Sequence, residues 1–394
     1  AMAKLGASLA QTLQITSRFQ TGDDTNSTHP NRAKRVKALT DGWNKGSGKT
    51  AVKTPEKYTS DNSTMSVEQY YNRGKKRLDS NNYFGAIQDF TQVIRIKPNY
   101  DLAYFYRAWA KNDSQDYSGA VVDYNIYIEY NPKDDAAYNH RAIAKRKLKD
   151  YSGAIADATK AIELDPDFAS SYINRGAAKE LFKDYSGAIA DYTKVIKLDP
   201  NNKLAYYNRG NSKRKLKDYS GAIADATKAI GLDPEFASAY INRGAAKELL
   251  KDYSGAIADY TKVIKLDPNN KLAYYKIGDA RGYLKQYYIA IANYSKAIEL
   301  DPDFVQAYTN RGNTKVYLED YPGAIADYNK AIEINPEDVD AYYFRGFTKF
   351  FLKDNYGAIA DYTKTIEIEP DYLAAYNNRG LALVNLKYFY GAIE

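Results

Sequence analysis

Side chains able to do chemistry are dealt out unevenly along these 394 residues. There is no cysteine, which removes thiolate nucleophiles, disulfides and zinc–cysteine clusters. Imidazole occurs only at His29 and His140, so proton shuttling at neutral pH and histidine-based metal sites have almost no material. Carboxylates are plentiful, but they recur at a fixed phase, and none stands apart as an acid–base couple. Gly46-Ser47-Gly48-Lys49-Thr50 has the ending of a phosphate-binding loop. That loop also needs a glycine five residues before Gly48, where this chain has Trp43, and it needs a strand before and a helix after. The stretch therefore reads as a linker. No catalytic group, cofactor or metal is expected, and the chain reads as a non-enzyme.

One arrangement of charge does recur. Arg73, Arg107, Arg141, Arg175, Arg209, Arg243, Arg311 and Arg345 are each followed 16 residues later by an aspartate, from Asp89 to Asp361. At the one interruption both charges vanish together, leaving Ile277 and Asn293. Such joint loss predicts ion pairs between neighbouring elements, partly shielded and kept only when complete; Arg175–Asp191 and Arg243–Asp259 are typical.

The elements that must position these pairs follow from a 34-residue period. Tyrosine returns from Tyr70 to Tyr376, alanine from Ala86 to Ala392, and proline from Pro98 to Pro370. The units are 67–100, 101–134, 135–168, 169–202, 203–236, 237–270, 271–304, 305–338 and 339–372, with a partial unit at 373–394. A period in this range predicts units that bury their apolar faces only by stacking on neighbours. Within 169–202, Tyr172, Gly176 and Lys179 share one helical stripe, and Ala188, Tyr192 and Val195 share another. Lys183-Asp184-Tyr185-Ser186 breaks the pattern between them, and Pro200 closes the second helix. Each unit thus reads as helix A, turn, helix B, turn. Residues 169–202 and 237–270 differ only at Ser171/Ala239 and Phe182/Leu250, which points to duplication of a two-unit block.

This spacing resembles the tetratricopeptide repeat family, with its aromatic, small residue, alanine, aromatic and proline at fixed offsets. The resemblance spans 67–394 and departs from the family at Arg175, Lys179 and their equivalents. It implies an all-α, right-handed superhelical solenoid of about ten helix-turn-helix units. It also implies a concave groove lined by helix A, able to hold a protein or peptide. Groove positions are then Tyr71, Phe105, Trp109, Tyr207, Tyr275, Tyr283, Tyr317, Tyr343, Phe344, Phe347, Phe350 and Phe351, aromatics that can anchor a partner. Relatives that clamp an acidic chaperone tail do so with lysines on helix A. The matching places here hold Tyr71, Phe105, Asn139, Ile173 and Tyr207, so that carboxylate clamp is not expected.

Residues 1–66 read as an amino-terminal arm. An amphipathic segment over 3–19 places Leu5, Leu9 and Leu13 at four-residue spacing, then Ile15 and Phe19. A polar linker follows, with the basic run Asn31-Arg32-Ala33-Lys34-Arg35-Val36-Lys37. The arm carries a net +5 and the repeats a net +2, a mixed-sign surface that is not a nucleic-acid footprint. The last unit stops inside its helix B, leaving Leu381, Leu383, Val384 and Leu386 half covered. The expectation is head-to-tail self-association, the arm of one copy docking on the last unit of the next, as homo-oligomer, polymer or filament. A non-catalytic scaffold for protein–protein contact covers these readings, with a dedicated structural subunit or a peptide adaptor as alternatives. No run is apolar enough to span a membrane, and both cytoplasm and exterior are compatible with the composition.

Overall fold

A computed structural model describes residues 65–386. The arm, including Leu5, Leu9, Leu13, Ile15 and Phe19, lies outside the described residues, as does 387–394. Among the described residues every regular element is an α-helix. The chain divides between Asn208 and Arg209 into two compact units.

The first unit is built from α1 (Val67–Asp79), α2 (Tyr83–Ile96), α3 (Asp101–Asp113), α4 (Tyr117–Tyr130), α5 (Asp135–Lys147), α6 (Tyr151–Leu164), α7 (Ala169–Leu181) and α8 (Tyr185–Leu198). Helix α9 (Lys203–Lys215) carries the division. The second unit continues with α10 (Tyr219–Leu232), α11 (Ala237–Leu249), α12 (Tyr253–Leu266), α13 (Lys271–Tyr283), α14 (Tyr287–Leu300) and α15 (Val305–Val316). It closes with α16 (Tyr321–Ile334), α17 (Val339–Phe351), α18 (Asn355–Ile368) and α19 (Leu373–Asn385). Odd-numbered helices are the A helices, even-numbered ones the B helices.

The α7–α8 hairpin shows why the sequence folds this way. Lys183 sits in the left-handed region at φ 65°, turning the chain in a single residue. Asp184 then caps α8, its carboxylate accepting from the Gly187 amide at 2.9 Å. Tyr185 and Ser186, expected in the turn, are therefore the first residues of α8, because the cap forms two residues earlier than the apolar pattern indicates. Beyond Leu198 the chain is extended at Asp199, and Pro200 keeps it from resuming the helix.

Inside each hairpin the small and large positions interlock. Ala188, Tyr192 and Val195 are fully buried, and a methyl on Gly176 would lie 2.9 Å from the Tyr192 ring. Glycine is required there by close approach of the two helices. Each buried tyrosine body contributes on the order of 2 kcal/mol. In the second unit Tyr260 opposes Gly244 and Tyr328 opposes Gly312 in the same way. Successive A helices also pack on one another: α1 on α3, α3 on α5 and α5 on α7 in the first unit; α13 on α15, α15 on α17 and α17 on α19 in the second. B helices do not pair to that extent among the described residues. The A helices thus share one face in each unit.

Candidate functional site

The recurring charges form a tighter motif than a pair. Asp191, 3% exposed, receives Arg175 Nη2 on Oδ1 at 2.6 Å and Lys179 Nζ on Oδ2 at 2.9 Å. In the second unit Asp259 is held likewise by Arg243 at 2.6 Å and Lys247 at 2.8 Å. The second cation, one helical turn beyond the first, was not anticipated. Its signal was present, since a lysine or arginine precedes every such aspartate by 12 residues, from Arg77 to Lys349. Around Asp123 burial favours the neutral acid, but Arg107 and Lys111 outweigh it and hold the carboxyl below its ordinary value. The arginine also reaches backward: Arg175 Nη1 donates to Thr159 Oγ1 at 3.1 Å, and Arg311 Nη1 to Ser295 Oγ at 2.9 Å. One guanidinium so joins its own B helix to the preceding one, while lying over its own tyrosine, Arg175 over Tyr172 at 5.6 Å.

The predicted groove aromatics divide by unit. In the first, Tyr71 packs on Phe90, Tyr100 and Tyr106, and Phe105 on Tyr124, Tyr127 and His140. Trp109, at the rim, touches Phe105 and donates from Nε1 to Asp113 at 3.0 Å. Tyr207, on α9, is half-buried. In the second unit Tyr343 packs on Tyr362 and Tyr372, Phe350 joins the cluster of Ala358, Tyr362 and Ala375, and Phe344 stacks on Tyr328. Phe347 meets Phe351 edge-on at 4.9 Å. On α19, Leu381 and Val384 are exposed and Leu383 is half-buried, as is Leu386 just beyond it.

Tyr275, Tyr283 and Tyr317 come together around a pocket between α13, α14 and α15, with Asp279, Gly282, Asn310 and Asn313. None of these last four was singled out from the sequence. Asp279 Oδ1 accepts from Tyr294 Oη at 2.9 Å and from Asn310 Nδ2 at 2.9 Å; Lys276 Nζ stands 3.4 Å from Oδ2. Asn310 also donates to Tyr275 Oη at 2.9 Å. Lys276 lies 3.9 Å from Glu248 Oε2 as well. Burial pushes the carboxyls of both Asp279 and Glu248 above their ordinary values, an effect Lys276 only partly offsets. Tyr283 stacks on Tyr253 at 4.8 Å and Tyr317 on Tyr287 at 5.1 Å, their outer faces open. No group of histidines and carboxylates suited to a metal occurs among the described residues. No helix there is long and apolar enough to cross a membrane.

Successive helical hairpins sharing an A-helix face in each unit define a helical repeat scaffold. Models of the family match as TPR repeat at 183–216, 283–318 and 312–350, and as tetratricopeptide repeat at 204–236 and 237–270, and again at 135–168 and 339–372. Together they cover more than half of the sequence, and the chain belongs to the tetratricopeptide repeat family. Proteins of this family bind proteins or peptides and are typically not enzymes. No curated protein matches the chain. Among solved structures, the C-terminal part of a TPR repeat-containing protein from Cytophaga hutchinsonii is 22% identical, over 61% of this chain and 98% of that one, with a TM-score of 0.51. MamA is 29% identical over 43% of this chain and 92% of its own, at TM-score 0.41. YrrB, described as a TPR protein with an unusual peptide-binding site, is 24% identical over 47% and 95%, at TM-score 0.40. The first of these likenesses concerns the fold alone.

Proposed function

We propose that the protein is a non-catalytic scaffold that holds an extended segment of another protein across the A helices of its second unit. The observation that carries this reading is a row of aromatics one period apart. Tyr283 and Phe351 end α13 and α17 and Tyr317 directly follows α15, one period apart, and the three are 70%, 57% and 70% exposed. Large apolar rings left open in register, on the face the A helices share, supply anchors spaced for an extended chain.

The test is selection of random 15-residue peptides on the full chain, followed by affinity measurement. Tyr283→Ala, Tyr317→Ala and Phe351→Ala together should weaken a selected peptide by at least tenfold, by the size usual for anchor truncations of about 1.4 kcal/mol or more. Tyr288→Ala and Tyr356→Ala remove equally exposed rings from B helices and should leave affinity unchanged. Equal effects from both sets would contradict the reading.

A second reading is self-association through α19, on which Leu373, Leu381 and Val384 are 76%, 55% and 43% exposed. Such a contact between unlike surfaces propagates into rings or filaments. Light scattering over a concentration series tests it: Leu381→Glu with Val384→Glu should lower the mean mass, and an unchanged mass rejects it.

A further inference from the structure

We propose that the pocket between α13, α14 and α15 takes the ammonium group of a lysine side chain carried by the bound segment. This rests on the reading of a protein segment held across the A helices, and it names what one part of that surface selects.

The pocket exists because the seventh unit departs from its neighbours. At the place occupied by Arg146, Glu180, Arg214 and Glu248 in the four preceding units, this unit has Gly282. A methyl added there meets nothing within 4 Å. The missing side chain opens the floor, and Asp279 forms it. Its Oδ1 is already taken by Tyr294 and Asn310, both at 2.9 Å. Oδ2 faces Lys276 at 3.4 Å, beyond the usual length of a charge-assisted hydrogen bond, and Tyr275 is a further hydrogen-bonding neighbour of this carboxylate. With two lone pairs and no charged donor at close range, Oδ2 can accept a shorter bond from a further cation.

Charge favours a cation. Lys276 is shared between Asp279 and Glu248, at 3.4 and 3.9 Å, so two part-buried carboxylates answer to one ammonium. Arg281 donates to Gln286 instead, and Lys285 is exposed at the rim. The walls are the rings of Tyr275, Tyr283 and Tyr317, whose faces attract a cation. A single accepting oxygen suits the compact ammonium of lysine better than the arginine fork, which needs two parallel acceptors.

The experiment uses the full chain with tyrosine-labelled NMR detection. The probes are N-acetyl-lysine methylamide and its uncharged isostere, N-acetyl-norleucine methylamide. The lysine probe should shift the Tyr275, Tyr283 and Tyr317 signals saturably, at least fivefold more tightly than the norleucine probe. Asp279→Asn should abolish that preference, and so should Gly282→Arg, which fills the pocket. Equal binding of the two probes, or a lysine preference that survives both substitutions, overturns the proposal. If peptides are selected on the A helices yet the lysine preference is absent, the pocket assignment fails and the groove reading stands. If the probe behaves as expected and no peptide is selected, the reverse holds.

Discussion

Arg175 and Asp191 meet across the α7–α8 hairpin with Nη2 and Oδ1 2.6 Å apart, and Lys179 closes on the other carboxylate oxygen at 2.9 Å. Removing the aspartate strands two cations whose side chains are each only 17% exposed. Asp191→Ala should cost about 3 kcal/mol, several times the surface norm, because breaking a shielded pair leaves charge uncompensated. Denaturant unfolding followed by circular dichroism checks this; a loss below about 0.5 kcal/mol, the surface norm, would deny the motif a structural role.

The seventh unit offers the reciprocal experiment. Ile277 is buried in the apolar cluster that includes Tyr240 and Tyr260, where the other units have arginine. Ile277→Arg alone buries an unpaired guanidinium, and Asn293→Asp alone keeps Arg281, at the place of Lys179, but lacks the first arginine. The double substitution should recover at least 1 kcal/mol of the summed losses, within the usual range for contacting residues. Additive losses in a double-mutant cycle would show that the two positions do not communicate.

Glycines on A helices should behave in opposite ways. A methyl at Gly312 falls 2.7 Å from Tyr328 Cε1, whereas one at Gly282 meets open space. Gly312→Ala should destabilise by about 2 kcal/mol through overpacking. Gly282→Ala should be neutral or stabilise by up to about 1 kcal/mol, since alanine favours the helix. Thermal melts of the two variants should therefore move apart.

His140 is enclosed by Phe105 at 5.6 Å, Trp109 at 5.3 Å and Tyr124 at 6.0 Å between ring centres. Burial lowers its pKa, although Asp113 and Asp134 pull the other way. The unfolded chain then binds a proton that the folded chain resists, so stability should fall as pH drops below about 6.5, the free imidazole value. His140→Phe should remove this component of the pH dependence between about pH 7 and pH 5. An identical slope in the variant contradicts the assignment.

Asp279 should show the opposite dependence. Its raised pKa means that the folded chain holds the proton more tightly, so ionisation as pH rises above about 4 works against the fold. Asp279→Asn keeps the shape without the charge and should raise the melting temperature at pH 8, with the gain vanishing below pH 4. A gain that is constant with pH would place the effect elsewhere.

Much of this could be read from residue order. Tyr172, Gly176, Ala188 and Tyr192 mark a hairpin because packing forces small against large at a fixed period, and Arg175 with Asp191 shows itself through their joint absence at Ile277 and Asn293. Lys179 was equally periodic, but its charge sits on the same stripe as Gly176, which disguised a partner of Asp191 as a departure from the family. The pocket was harder to see. Tyr275, Tyr283 and Tyr317 fall at groove positions, yet nothing along the chain says that they converge on Asp279. The missing clue is subtractive: Gly282 matters only against Arg146, Glu180, Arg214 and Glu248 at the same place. In the first unit Phe105 and His140 turned toward one another, because neighbouring A helices bring residues 35 apart into contact.

The central claim, that each hairpin is stable only through its neighbours, is tested most directly by hydrogen exchange of Asp327→Ala. Arg311 ties Asp327 to Ser295 of the preceding hairpin, at 2.6 and 2.9 Å. Mass spectrometry should find faster exchange in α15 and α16 and also in α13, α14, α17 and α18, while α1 to α4 keep their native rates. Acceleration confined to α15 and α16, or spread evenly over 67–385, would contradict it.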